Sequence, residues 1–285
     1  MNIRGLLRVS ADRLAVAGIG EAEIEAVFLL CHVLDCSRAQ LFLNDGQEVS
    51  SAQLELFEAL LSRRLAREPL AYILGEQEFW SLPFQVSPDV LIPRPETEEL
   101  LERVFAVVVR EGLPPGPLLD LGVGSGAIAV VLAKELPGRV VFAVDYSLAA
   151  LRTAAKNRDR HGVGHRLFLL NADWLSAIKE EGLFSLIVSN PPYIAGGVMD
   201  SLQPEVRRFE PYIALASGCD GLDAIRILAD RVHYHLKSGG YLFMEIGFDQ
   251  GDAVLDIFSA KNAYASVCVH PDLAGLPRIL QVQRK

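Results

Sequence analysis

Apolar residues recur with two different periods along this chain, and the change from one to the other divides it. Ile24, Val27, Phe28, Cys31 and Leu34 form one stripe, and Leu54, Phe57, Leu60, Leu61 and Leu65 form another, both at the spacing that places residues on one face of a helix. Ser50 followed by Gln53 is the signature of a capping box, and Pro69 falls just after the basic end of the second helix. The first seventy or so residues therefore predict a small helical unit whose stripes face its own core. Between Gly75 and Pro95 the pattern shortens to two aromatic or β-branched stretches, Glu78–Trp80 and Phe84–Val86, separated by Ser81, Leu82 and Pro83. That predicts a hairpin. The hexapeptide Pro93-Arg94-Pro95-Glu96-Thr97-Glu98 carries two prolines and reads as a linker before a helix over Glu98–Arg110.

After Pro117, short apolar strands alternate with helix-like segments. The predicted strands are Leu118–Leu121, Val140–Asp145, Leu167–Leu170, Leu186–Val188, Tyr241–Ile246, Ser266–His270 and Ile279–Gln283. Alternation of this kind builds a parallel sheet with helices on both faces. The last two strands are joined by a Pro- and Gly-containing loop instead of a helix, so they are expected to pair antiparallel at one edge. The expected fold class is α/β, with a helical domain over residues 1–75, a hairpin linker over 76–97 and the sheet domain over 98–285.

Composition narrows the class. Of 285 residues, 51% are hydrophobic and 22% charged, and the mean hydropathy is +0.26, which fits a globular enzyme better than a disordered or fibrous chain. No apolar run approaches the roughly 18 residues of a membrane span. Arg4, Arg8, Asp12 and Arg13 interrupt the N-terminus, unlike a signal peptide, so a cytoplasmic protein with no membrane partner is expected. The formal charge of −9 disfavours a phosphate backbone as the main ligand. Arg63, Arg64 and Arg67 could form a local basic patch, and a solvated helix face is the simpler expectation. Cys31, Cys36, Cys219 and Cys268 show no CxxC pair, and His233 and His235 have no third ligand nearby in sequence. Neither disulfides nor a metal site is expected.

Candidate chemistry begins at Asp120-Leu121-Gly122-Val123-Gly124-Ser125-Gly126, where a buried strand ends and the helix Ala127–Glu135 begins. Glycines there let the backbone turn sharply and approach a ligand closely. Gly122, Gly124 and Ala127 also meet the looser dinucleotide fingerprint, and Asp145 stands at about the twenty-residue distance of a carboxylate that binds ribose hydroxyls. NAD-dependent oxidoreduction thus stays open. Asp120 is expected at the strand tip beside the crevice, where its carboxylate repels a pyrophosphate and attracts a cation. S-adenosylmethionine, with a sulfonium, an ammonium and no phosphate, suits that charge better; a structural Asp120 bonding the loop amides is the alternative. Asp173 is placed at the end of the third strand with Trp174 beside it, where an adenine ring needs stacking and an edge hydrogen bond. Asp120, Asp145 and Asp173 then end three successive strands on one carboxyl edge.

The most specific signal is Asn190-Pro191-Pro192-Tyr193, which follows the predicted strand Leu186–Val188. An amide NH2 is a poor nucleophile because its lone pair is delocalised, so an enzyme that alkylates it must hold both N–H groups and turn the lone pair toward the methyl. Asn190 offers a side-chain carbonyl, and the Pro191 backbone carbonyl offers a second acceptor fixed by two rigid rings. Tyr193 offers a flat surface for the planar amide. Sulfonium is a strong leaving group, so the displacement needs placement more than a general base, and no catalytic His, Cys or Lys is expected. A tight turn is the bland alternative.

Together, Asp120–Gly126, Asp145, Asp173-Trp174 and Asn190–Tyr193 resemble the Rossmann-like S-adenosylmethionine-dependent amino-methyltransferases, and within them the family of peptide chain release factor N5-glutamine methyltransferases. The segments Pro69–Gly75, Phe79-Trp80, Pro93–Glu98, Phe209-Glu210-Pro211, Gly218–Leu222 and Glu245-Ile246-Gly247 look like further signatures of that family, so the likeness runs nearly end to end. It implies a Rossmann-like seven-stranded methyltransferase sheet with an antiparallel edge pair. It also implies S-adenosyl-L-methionine bound by Asp120, Gly122, Val123, Gly124, Ser125, Gly126, Asp145, Asp173, Trp174 and Asn190. The substrate glutamine would be held by Asn190, Pro191, Pro192 and Tyr193, with Asn190, Pro191 and Tyr193 catalytic. The implied partners are class 1 peptide chain release factors, modified on a Gly-Gly-Gln loop, with the helical N-terminal unit helping to hold them and no direct nucleic-acid binding. Val123 stands where many members carry Thr. An adenine amino-methyltransferase acting on a flipped base is the nearest rival, and a non-catalytic cofactor-binding protein is another.

Overall fold

The computed structural model describes residues Met1 to Lys285. Asn2 caps α1 (Ile3–Val16), while Ser37 and Ser50 form reciprocal capping boxes with Gln40 and Gln53 at the starts of α3 (Arg38–Leu43) and α4 (Ser51–Leu65). Each box satisfies two amides that a helix start leaves open. With α2 (Ala22–Leu34) and α5 (Leu70–Leu74) these helices bury one cluster that includes Leu6, Leu29, Leu30, Phe57 and Leu61. Of the stripe expected on α2, Val27, Cys31 and Leu34 pack on this cluster. Ala22, Ala26, Val27, Leu29 and Leu30 face inward, while Ile24 and Phe28 are 45% and 37% exposed. That helix is apolar on most of its circumference, so periodicity alone did not choose its buried face; the chosen one carries two alanines, small enough for close helix packing.

One compact unit comprises Met1–Glu76 together with Gln203–Phe209, and the other comprises Gln77–Leu202 and Glu210–Lys285. The returning segment contains α9 (Pro204–Phe209) and changes the reading of the basic end of α4. Arg64 is only 5% exposed. It pairs with Glu25 and with Glu205, the latter at 3.0 Å, and Arg67 reaches Glu205 at 2.8 Å and the carbonyls of Ala17 and Gly18. Arg63 keeps the solvated position expected there, paired with Glu68, while Arg64 and Arg67 join an ion-pair cluster completed by a residue far along the chain.

The second unit opens with a hairpin, β1 (Glu76–Phe79) and β2 (Leu82–Gln85). Its turn is Trp80-Ser81, both at φ +55°, the left-handed pair that a two-residue hairpin loop needs. The aromatic side chain of Trp80 predicts a strand position. Its indole instead packs on Phe105 and donates to Glu135, and its backbone amide donates to Glu98 at 2.6 Å. Glu98 lies in α6 (Pro95–Glu111), which starts three residues before the expected Glu98 because Pro95 occupies the first helical turn, where its missing N–H costs nothing.

The sheet strands are β3 (Leu118–Leu121), β4 (Val141–Asp145), β5 (Leu167–Asn171), β6 (Phe184–Ser189), β7 (Leu236–Glu245), β8 (Tyr264–Pro271) and β9 (Pro277–Arg284). They lie in the order β5-β4-β3-β6-β7-β9-β8, parallel from β5 to β7, with β9 antiparallel to both β7 and β8. The seven-stranded sheet with an antiparallel edge pair is as expected. Alternation splits each buried strand between two cores. Leu118, Leu186, Val188, Tyr241 and Phe243 pack toward α6, α7 (Ala127–Glu135) and α8 (Leu148–Arg160). Leu119, Leu121, Ile187, Leu242 and Met244 pack toward α10 (Asp223–His235) and α11 (Gly251–Ser259). No helix is long and apolar enough to cross a membrane.

Candidate active site

β3 hands the chain to β4 on one side and receives β6 on the other, so the strand order reverses at its carboxyl end. A crevice opens at such a reversal. The loop that fills it turns at Gly122, Gly124 and Gly126, with φ of +81°, +53° and +87°. At Gly126 a side chain would also press on the backbone of Ala154 in α8, 3.3 Å away. The amides of Gly122 and Val123 donate to the Val144 carbonyl, and Asp145 at the tip of β4 accepts from the Gly124 amide at 2.9 Å and the Ser147 amide at 2.8 Å. Trp174, held at φ +48°, sets its ring edge against Gly122. A cavity of about 550 Å³ is lined by Gly122, Val123, Gly124, Ser125, Asp145, Asp173, Trp174, Asn190 and Pro192. Asp173 is exposed, two residues beyond the end of β5. Gly126, Pro191 and Tyr193 do not line the cavity.

Asp120, also expected at the site, is fully buried and lies outside the cavity lining. Only the Ala129 amide faces its carboxyl, and neither oxygen has a hydrogen bond of good geometry. The cause is strand parity: as third residue of β3 it shares the face of Leu118 and points into the layer under α7, not out of the strand tip. Burial, reinforced by the nearby Asp145 charge, pushes its carboxyl from 3.8 up to about 8. A carboxyl raised in this way takes up a proton on folding, so native stability declines as pH rises from its unfolded value near 3.8 to about 8. Asp120→Asn keeps the shape and removes the charge. Without added ligand its melting temperature is expected to exceed the parent's by roughly 3 °C or more above pH 8, with the gain vanishing toward pH 4 in a scanning-calorimetry series; a pH-independent difference would contradict it.

The tetrapeptide after β6 is fastened from four directions. Gln250 donates to the Tyr193 carbonyl at 2.9 Å and to the Gly221 carbonyl at 3.2 Å. Gly221 has to be glycine, since a side chain there would lie 2.3 Å from the Tyr193 carbonyl oxygen. Ile194 donates to Leu215 through the backbone. The Tyr193 hydroxyl donates to Glu245 Oε1 at 3.0 Å, and Asn190 Nδ2 donates to Thr97 Oγ1 at 3.1 Å. Burial and the Glu245 charge push the Tyr193 phenol well above its ordinary range. Beside them Arg94 lines the cavity and pairs with the buried Glu210, which also accepts from the Ile92 amide. Burial pushes Glu210 up and Arg94 opposes it.

Thr97, Glu245, Gln250 and the Arg94–Glu210 pair had no role assigned from the sequence. Their signal was a carboxylate inside an apolar strand run, Tyr241–Ile246, and the polar hexapeptide around Thr97, both of which carry meaning only once paired with partners far away in the chain.

A family model for a methyltransferase small domain matches residues 101–205, and one described as the PrmC N-terminal domain matches residues 5–75. With the strand order and the glycine turn after β3, the first of these defines the class: the second unit is a Rossmann-like methyltransferase. The release factor glutamine methyltransferase of Cereibacter sphaeroides is 44% identical over 283 residues, 99% of each chain, and that of Vibrio cholerae is 40% identical over 285 residues, 100% of this chain and 98% of that one. The chain belongs to the release factor glutamine methyltransferase family. A methyltransferase from Pyrococcus furiosus shares the fold, with a TM-score of 0.51 at 17% identity over 78% of this chain and 96% of that one.

Proposed function

We propose that this chain transfers a methyl group from S-adenosylmethionine to the side-chain amide nitrogen (N5) of the glutamine in the Gly-Gly-Gln motif of class 1 peptide chain release factors, in the cytoplasm, and so modulates translation termination. One observation carries the reading: Asn190 lines the same cavity as Gly122–Ser125, Asp145 and Trp174, so a donor held there and an amide held by the tetrapeptide share one wall. The relatives' names support the substrate class.

The residues present fit the donor. Each Asp145 oxygen accepts one backbone amide and keeps capacity for a ribose hydroxyl, Trp174 offers a ring face for adenine, and the glycine turn admits a ligand against the backbone. When bound, the donor supplies a methyl on a sulfonium that leaves readily. The chain's own residues therefore place the nucleophile: Asn190 Oδ1, on the cavity wall, accepts one N–H of the glutamine amide, the carbonyl of the adjoining Pro191 is the proposed acceptor for the second, and Pro192 and Tyr193 stiffen and flank the site.

The helical unit is proposed to hold the partner, with a hairpin linker following it; Ile24 and Phe28 on α2 supply exposed apolar surface there. A specific protein interface buries about 800 Å² per side, more than a tetrapeptide crevice offers. Intact release factor is accordingly expected to be methylated far faster than a short Gly-Gly-Gln peptide, with tandem mass spectrometry placing the methyl on the glutamine side chain. A methyl on another atom overturns the substrate assignment, and equal rates for peptide and protein overturn the role of the helical unit.

A further inference from the structure

Glu245 ends β7 only 1% exposed, and its two oxygens serve different elements. Thr97 Oγ1, from the first turn of α6, lies 2.6 Å from Oε2, and the Tyr193 hydroxyl lies 3.0 Å from Oε1. Asn190 Nδ2 lies 3.1 Å from the same Thr97 oxygen. The direction of this chain of hydrogen bonds is set by its first member. A carboxylate only accepts, so Thr97 gives its single hydroxyl hydrogen to Glu245 and has only lone pairs left for Asn190. Asn190 must then present its NH2 to Thr97, which turns its carbonyl oxygen away from Thr97. The two ends of a primary amide have nearly the same shape, so packing alone does not choose between them.

We propose that Glu245 and Thr97 are positioning residues that hold the Asn190 amide with its carbonyl oxygen toward the substrate amide. This rests on the reading of Asn190 as an acceptor for the glutamine N–H. The opposite orientation sets NH2 against NH2 and loses that bond. Protonation of Glu245 on Oε2 removes the acceptor that fixes this direction and opens the reversed chain, in which Glu245 donates to Thr97, Thr97 donates to Asn190 Oδ1, and the Asn190 NH2 turns toward the substrate.

Burial pushes the Glu245 carboxyl above the usual carboxylate range. The Thr97 and Tyr193 hydroxyls and the Arg278 guanidinium on β9 oppose this, and Glu96, beside Thr97 on α6, adds to it. Turnover consequently falls as pH drops through that raised value.

The test is the pH profile of kcat on intact release factor for the parent, Thr97→Val, Thr97→Ser, Tyr193→Phe and Asn190→Ala. Thr97→Val removes the relay at constant shape. Its kcat is expected to fall about tenfold at neutral pH with KM nearly unchanged, and its acid limb to flatten, because Asn190 no longer follows the charge on Glu245. Thr97→Ser restores both. Tyr193→Phe leaves the relay and removes one donor from Glu245, so its acid limb moves to higher pH, and this arm stands even where Thr97→Val does not fold. Melting curves and S-adenosylmethionine affinity report whether each variant is intact. The inference is overturned if folded Thr97→Val keeps the parent's kcat and limb, if Thr97→Ser behaves like Thr97→Val, or if the Tyr193→Phe limb stays in place. A defect in Asn190→Ala with none in Thr97→Val overturns the relay alone; normal turnover by Asn190→Ala overturns the acceptor reading and the relay with it.

Discussion

Asn190→Ala is expected to lower turnover on release factor by roughly 100-fold or more, the scale of losing one preorganised polar group that acts on the reacting centre. The substrate amide is the weakest nucleophile a protein side chain offers for this chemistry, and its lone pair points at the methyl only while both N–H groups are held. Alanine removes the side-chain carbonyl and leaves the Pro191 carbonyl as the sole acceptor. The backbone stays fixed, because Gln250 holds the Tyr193 carbonyl independently of the Asn190 side chain. Cofactor affinity should therefore fall much less than turnover. Single-turnover rates and calorimetric titration of S-adenosylmethionine on the same preparation separate the two; a variant with near-normal turnover would return the tetrapeptide to a structural turn.

Asp145→Ala is expected to weaken S-adenosylmethionine binding at least about tenfold. On the proposed donor site the carboxylate would accept two charge-assisted hydrogen bonds from ribose hydroxyls, worth about 1.5–3 kcal/mol each, and alanine removes both. The same substitution frees the Gly124 and Ser147 amides that the carboxylate holds, so the glycine turn loses an anchor as well as a ligand contact. Burial pushes the Asp145 carboxyl up, and the amides of Gly124, Ser147 and Tyr146 oppose that rise without cancelling it. Calorimetry with a folded variant decides it: unchanged affinity would remove Asp145 from the donor site.

The elements legible in the sequence were those whose signals are local. Capping boxes at Ser50, the period of α4, the seven apolar strands and the loop joining β8 to β9 each depend on residues a few positions apart, and the structure reproduces them. The glycine turn, Asp145, Trp174 and Asn190 were legible for a related reason: each follows a strand of a parallel sheet, and strand order alone brings such positions to one edge. Where two local signals competed, the sequence did not decide. On α2 several faces are apolar, and at Trp80-Ser81 neither residue announces the left-handed backbone that the turn requires.

Only the tertiary structure decided the contacts that cross the chain. Thr97 and Glu245 are separated by 148 residues, and Arg64 and Glu205 by 141, distances over which no periodic pattern carries information about pairing. Asp120 shows the same limit from the other side. Its type and its place in the glycine motif suggested a crevice charge, yet β3 is four residues long and buried on both faces, so its direction depended on which face the crevice occupied. Alternation along a strand separates the two faces without naming either. The packing of α7 over one of them named it, and left a carboxylate where the sequence had only an acid beside a loop.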